Sequence, residues 1–116
     1  MARYTGLFKI TAPSTNLQQP LSKVLEACNF DVVYQAGDYM MAREVPGDVA
    51  FQKLVTVEVL VDRTNELDHQ IQMQMVIKNE ELPLQSNNHC QQMFQRISQA
   101  IAEANHWKLI ETVASN

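Results

Sequence analysis

Two stretches of this chain place an apolar residue at every second position without a break. In Leu54 to Asp62, Val55, Val57, Val59 and Val61 take one side and Leu54, Thr56, Glu58, Leu60 and Asp62 the other. In Gln70 to Lys78, Ile71, Met73, Met75 and Ile77 oppose Gln70, Gln72, Gln74, Val76 and Lys78. Successive side chains of a β-strand point to opposite faces, so this period of two marks strands with one dry face and one wet face. The polar, acidic segment Arg63 to His69 joins them as a loop. The dry faces require a second layer to bury them.

Two amphipathic helices supply that layer. Leu17, Leu21, Val24, Leu25 and Cys28 share one helical face, which predicts a helix from Asn16 or Gln19 to Cys28. Pro20 is tolerated only in its first turn, and Asn29 suits its stop. Cys90, Met93, Phe94, Ile97, Ala100, Ile101 and Ala104 form a longer stripe, on a helix capped by Asn87 or Asn88 and running to about Asn105. Further strands are expected at Arg3 to Ile10, Phe30 to Gln35, Tyr39 to Glu44 and Trp107 to Val113. Gly6 marks a bulge or a close approach in the first of these. Ala36-Gly37-Asp38 closes a hairpin, and Val45-Pro46-Gly47-Asp48 is a turn. Thr11 to Thr15 and Asn79 to Ser86 are loops.

The order is β-α-β-β-β-β-α-β. Short connections make the middle strands an antiparallel meander, and each helix is apolar on one side only. The expectation is an α+β two-layer sandwich, a mainly antiparallel sheet of about six strands with both helices on one face, in a single domain over 1–116. Ferredoxin-like domains with an added hairpin, TATA-box-binding-protein-like domains and type III secretion chaperones share parts of this order, a resemblance of topology alone.

Composition narrows the function by exclusion. The net charge of −4 speaks against a nucleic-acid binder and a polybasic membrane-surface protein, both of which need a basic face. No apolar run approaches the ~20 residues of a membrane span. Lys9 interrupts any leader-like core, and two cysteines are too few for a disulfide framework, so a reducing, cytoplasmic setting is expected. Twelve glutamines, spread over strands and helices, give a polar surface without charge.

Chemistry-bearing patterns are sparse. With glycine only at 6, 37 and 47, no phosphate-cradling loop exists, and no nucleotide-binding cofactor is expected. His69, His89, His106, Cys28 and Cys90 show no metal-ligand spacing, so no metal is expected. Cys90 falls in the first turn of the second helix, where a thiol can be activated, with His89 beside it. Yet Cys90 also begins the apolar stripe, and adjacent helical residues do not face each other, which favours a core role. Six of the thirteen acids, Glu58, Asp62, Glu66, Asp68, Glu80 and Glu81, gather between 58 and 81 as an acidic end of the sheet.

One feature departs from the amphipathic rule. Phe30-Asp31-Val32-Val33-Tyr34 and Tyr39-Met40-Met41-Ala42 are apolar on both faces. Either the chain's own loop around Val49 to Phe51 or a terminal segment covers the second face, or Val33, Tyr39, Met40 and Ala42 form a dimer or partner interface, for which Tyr and Met are suited, or a small apolar ligand lies there.

The stretches Val76-Ile77-Lys78-Asn79-Glu80-Glu81-Leu82-Pro83-Leu84, Asn87-Asn88-His89-Cys90 and Gly37-Asp38-Tyr39-Met40-Met41-Ala42-Arg43-Glu44 resemble small uncharacterised cyanobacterial proteins. The resemblance implies a cytosolic bacterial protein and carries no activity. Two functions are weighed. The first is a non-enzymatic interaction module (homodimer, adaptor or chaperone-like) that binds itself or another protein, with no nucleic acid and no membrane insertion. The second is a small ligand-binding protein or enzyme with a pocket between helices and sheet near His89 and Cys90.

Overall fold

The computed structural model describes residues 1–13, 16–65, 70–82 and 88–115. Glu66, Asp68 and His69, the loop residues Ser14, Thr15 and Pro83, and the alternative cap Asn87 lie outside them. The element order is β1 (Ala2–Thr11), α1 (Gln18–Ala27), β2 (Phe30–Ala36), β3 (Tyr39–Glu44), β4 (Thr56–Asn65), β5 (Gln70–Asn79), α2 (His89–Glu103) and β6 (Lys108–Ser115), with a 3₁₀ turn at Phe51–Lys53. This is the expected α+β order.

All six strands join one open antiparallel sheet in the order β2-β3-β4-β5-β1-β6. Strands β2 to β5 form the meander, and β1 lies between β5 and β6. Strand β4 extends to Asn65, past the expected end at Asp62, because Asn65 regains pairing with Gln70 beyond an irregularity.

Both helices cover the same face. The alternating strands send Val57, Val59, Met73, Met75 and Ile77 into the core, against Leu21 and Leu25 of α1 and Ile97 and Ile101 of α2. Helix α1 carries Pro20 at its third position, where the missing N–H costs nothing, and after its C-cap Cys28 the chain turns at Asn29, whose φ of 72° is left-handed. Asn88 caps α2 by accepting the backbone N–H of Gln91 at 2.7 Å, and its amide donates to the Tyr4 hydroxyl at 3.0 Å. At the other end, the Trp107 indole donates to the Ile101 carbonyl at 2.9 Å. Gly6 serves a close approach: a Cβ there would meet Phe8 at 3.0 Å and Phe94 of α2 at 3.2 Å.

Candidate functional site

Among the described residues, no second layer covers the face of the sheet away from the helices. Cross-strand register sorts its residues into rows running across the strands. At one end, Asp31, Arg43, Thr56, Lys78 and Arg3 are successive partners. Next come Tyr34, Met41, Glu58, Val76 and Thr5, then Ala36, Tyr39, Leu60, Gln74, Leu7 and Val113. The row at the far end is Asp62, Gln72, Lys9 and Glu111. The third row is the most apolar, and Leu60 at its middle is 50% exposed, with Leu7 and Val113 similarly open to water.

The two-faced hairpin resolves into two separate surfaces. Strand β3 alternates regularly, so Met40 and Ala42 point toward the helices; Met40 is 3% exposed and Ala42 is fully buried. This corrects the expectation that Met40 and Ala42 form an interface: the pleat commits them to the core, with Ser22 of α1 4.0 Å from the Met40 sulfur. The open side of β3 carries Tyr39, Met41 and Arg43. In β2 the register slips between Val32 and Tyr34, so Val33 has no partner and Val33 and Tyr34 are both more than half exposed, while Val32 packs on the core. The Tyr34 and Tyr39 rings pack in a tilted contact, 58° between planes and 5.8 Å between centroids. Burial first, then Glu58 and Tyr34, raises the Tyr39 hydroxyl above its ordinary range.

The segment expected to cover this hairpin does so only at one margin. Phe51 is 82% exposed, and with Val33, Arg43, Thr56 and Lys78 it borders an open cleft of about 670 Å³ at the basic end of the face. Of the sequence candidates, Val33 and Tyr39 remain on the open surface. Tyr34, Met41, Leu7, Leu60 and Val113 join them. Leu7 and Leu60 were legible as apolar residues on the wet sides of their strands.

His89 and Cys90 belong to a different place, the join between α2 and the strand ends. Both Glu44 oxygens contact His89 Nε2, at 2.8 and 2.9 Å, and Glu44 also accepts the backbone N–H of Val55 at 3.2 Å. Glu81 accepts the backbone N–H of His89 at 3.1 Å and of Cys90 at 2.8 Å, and the Asn79 amide at 2.6 Å. Asn79 is itself fixed to the Lys53 carbonyl at 2.9 Å. Burial alone would raise the Glu81 carboxyl, but these hydrogen bonds and the neighbouring His89 outweigh it and hold the group below its usual range.

Cys90 is fully buried, and burial, reinforced by Glu81 and Glu44, pushes its thiol up to about 12. That is the reverse of nucleophile activation. The helix N-terminus that might have stabilised a thiolate is occupied by Glu81 instead. Glu44 and Asn79, absent from the sequence candidates, had one signal: both fall on the core-facing positions of their strands, where a polar side chain requires a partner. Among the described residues, no group of three His, Cys, Asp or Glu side chains is placed to hold a metal, and no helix is long and apolar enough to cross a membrane. No protein-family model matches this chain, and no curated protein matches it closely enough to suggest kinship.

Proposed function

We propose that this protein is a non-enzymatic interaction module that docks a polypeptide on the open face of its sheet. One observation carries the reading: among the described residues no second layer covers this six-stranded face, yet one row across it holds Tyr39, Leu60, Leu7 and Val113, with Gln74 between Leu60 and Leu7. Antiparallel sheets tolerate water on one side when that side is polar, whereas contiguous exposed apolar rows mark contact surfaces. The charged and amide residues around them make the polar rim expected of such a surface.

The alternative of a ligand pocket near Cys90 draws less support, because Cys90, Ile77 and Ile97 fill that space with no exposure. The reading is tested by capture with a tagged chain, in native form, as Leu7→Glu on the open face and as Gln95→Glu on the outer side of α2. Polypeptides held by the native chain, its own untagged copy included, are expected to be lost with Leu7→Glu and kept with Gln95→Glu. Retention of every polypeptide by Leu7→Glu removes the open face as the docking surface.

A further inference from the structure

We infer that the open cleft beside Phe51 binds a free α-amino acid with an apolar or aromatic side chain, its carboxylate on Arg43 and its ammonium on Asp31. The inference goes beyond the docking surface and does not rest on it. The cleft lies at the end of the sheet, away from the row of Leu7, Leu60 and Val113.

On the sheet, the cleft is lined by the row Asp31, Arg43, Thr56 and Lys78 of β2 to β5. Beyond the sheet, it is lined by the connection from β3 to β4, which supplies Phe51 and Leu54. That connection is fixed in place. The Asn79 amide donates to the Lys53 carbonyl at 2.9 Å, and the Glu80 N–H donates to the Gln52 carbonyl at 3.3 Å. Phe51 is thereby held beside the cleft while 82% exposed, and Val33, more than half exposed, borders the same space. Apolar side chains kept wet on a fixed frame gain from an apolar group placed against them. The volume of about 670 Å³ suits a small molecule, whose sites span roughly 300–1,000 Å³.

The charges select the ligand. Five charged side chains border the cleft: Asp31, Arg43, Glu44, Lys78 and Glu80. Two are already engaged. Glu44 is buried, with both oxygens on His89 and one on the Val55 N–H. Lys78 Nζ lies 3.4 Å from a Glu58 oxygen. Arg43 and Asp31 are exposed register partners on adjacent strands, and neither makes a hydrogen bond or ion pair among the described residues. Directly opposed residues of an antiparallel pair hold their Cβ atoms about 5 Å apart. One α-carbon can therefore present its carboxylate to the Arg43 fork and its ammonium to Asp31. Thr56, the partner of Arg43 on β4, offers a hydroxyl donor to the same carboxylate. The remaining group, Glu80, is an acid, so the site does not favour a simple anion. Arg43 disfavours a simple cation. A zwitterion meets both signs.

Amide chemical shifts of the isotope-labelled chain, followed as L-phenylalanine or L-leucine is added, test this. Saturable shifts are expected at Asp31, Val33, Arg43 and Phe51. Phenylacetate, which lacks the ammonium, and phenethylamine, which lacks the carboxylate, are each expected to bind at least about tenfold more weakly than L-phenylalanine. Arg43→Gln and Phe51→Ala should each weaken L-phenylalanine by a similar factor. Asp31→Asn should remove the preference for L-phenylalanine over phenylacetate. All three positions are exposed, and a dispersed spectrum confirms that each variant is folded. Gln95→Glu on α2 should leave binding unchanged. Absence of saturable shifts with either amino acid up to about 20 mM overturns the inference. Phenylacetate binding as tightly as L-phenylalanine overturns the zwitterion as ligand. Binding that survives both Arg43→Gln and Phe51→Ala overturns the cleft as its place. The docking reading is decided separately, by Leu7→Glu.

Discussion

His89 Nε2 lies 2.8 and 2.9 Å from the two carboxylate oxygens of Glu44, and this contact ties the first turn of α2 to the last residue of β3. Glu44 is buried, at 5% exposure, and its other partner is the backbone N–H of Val55. Removing the imidazole leaves a buried carboxylate with half its partners. His89→Ala is therefore expected to cost about 2–3 kcal/mol of unfolding free energy. Glu44→Gln keeps an acceptor for Val55 and is expected to cost about half as much. Urea denaturation of both variants checks this, and a His89→Ala midpoint equal to the native one would show that the pair holds nothing.

Glu81 predicts the acid side of the stability curve. Its carboxyl is held low in the fold by the Asn79 amide and two backbone N–H groups of α2, against the opposing effect of burial. As pH falls, the unfolded chain takes up this proton before the folded one does. The stabilisation is thus fully present above the ordinary Glu value of about 4.3 and is lost as pH falls through the lowered folded value. Glu81→Gln should cost about 1 kcal/mol at neutral pH and flatten the loss of stability in acid. Thermal melts between neutral pH and strong acid measure the slope. An unchanged slope in Glu81→Gln would assign the acid sensitivity to other carboxylates.

These two contacts also show where sequence reading ends. The alternation of β4 and β5 and the stripe of α2 are local signals, and the elements form where those signals stand, with Asn88 as the cap and Pro20 in a first turn. The place of β1 between β5 and β6 is set by pairing across most of the chain, which no local period encodes. Apolar residues on both parities of the hairpin point to an interface at Met40 and Ala42, which the fold instead buries. The slip at Val33 cannot be read from composition, and it is this slip that puts Val33 and Tyr34 together on the open side. Glu44 was legible in principle: it shares parity with Met40 and Ala42, so a buried acid needing a partner was written into β3. That the partner is His89, 45 residues away in sequence, was not.

Cys90 is expected to be chemically silent in the folded protein. With its thiol pushed up to about 12 by burial and by Glu81 and Glu44, a negligible fraction is thiolate at neutral pH. Burial likewise raises Cys28, against a smaller opposing effect of Arg96. Iodoacetamide should label neither cysteine under native conditions and both in denaturant, as mass spectrometry would record. Rapid labelling of Cys90 in the native state would reopen a catalytic reading of the α2 N-terminus.

Gly6 lets α2 approach the sheet closely. A methyl group there would stand 3.0 Å from Phe8 Cε2 and 3.2 Å from the Phe94 ring, which itself packs on Tyr4 at a centroid distance of 5.8 Å. Phe8 is buried and cannot retreat, so the strain of Gly6→Ala falls on Phe94, which is partly exposed. The lower chain entropy of alanine favours the variant by a few tenths of a kcal/mol, while overpacking opposes it by about 1–2 kcal/mol. The net expectation is a loss of about 1 kcal/mol. Phe94→Leu removes the ring that must move, so the double variant should lose less than the two single changes together. A double-variant cycle by urea denaturation reads this coupling directly. If the two effects simply add, Gly6 is not where the sheet and α2 press against each other.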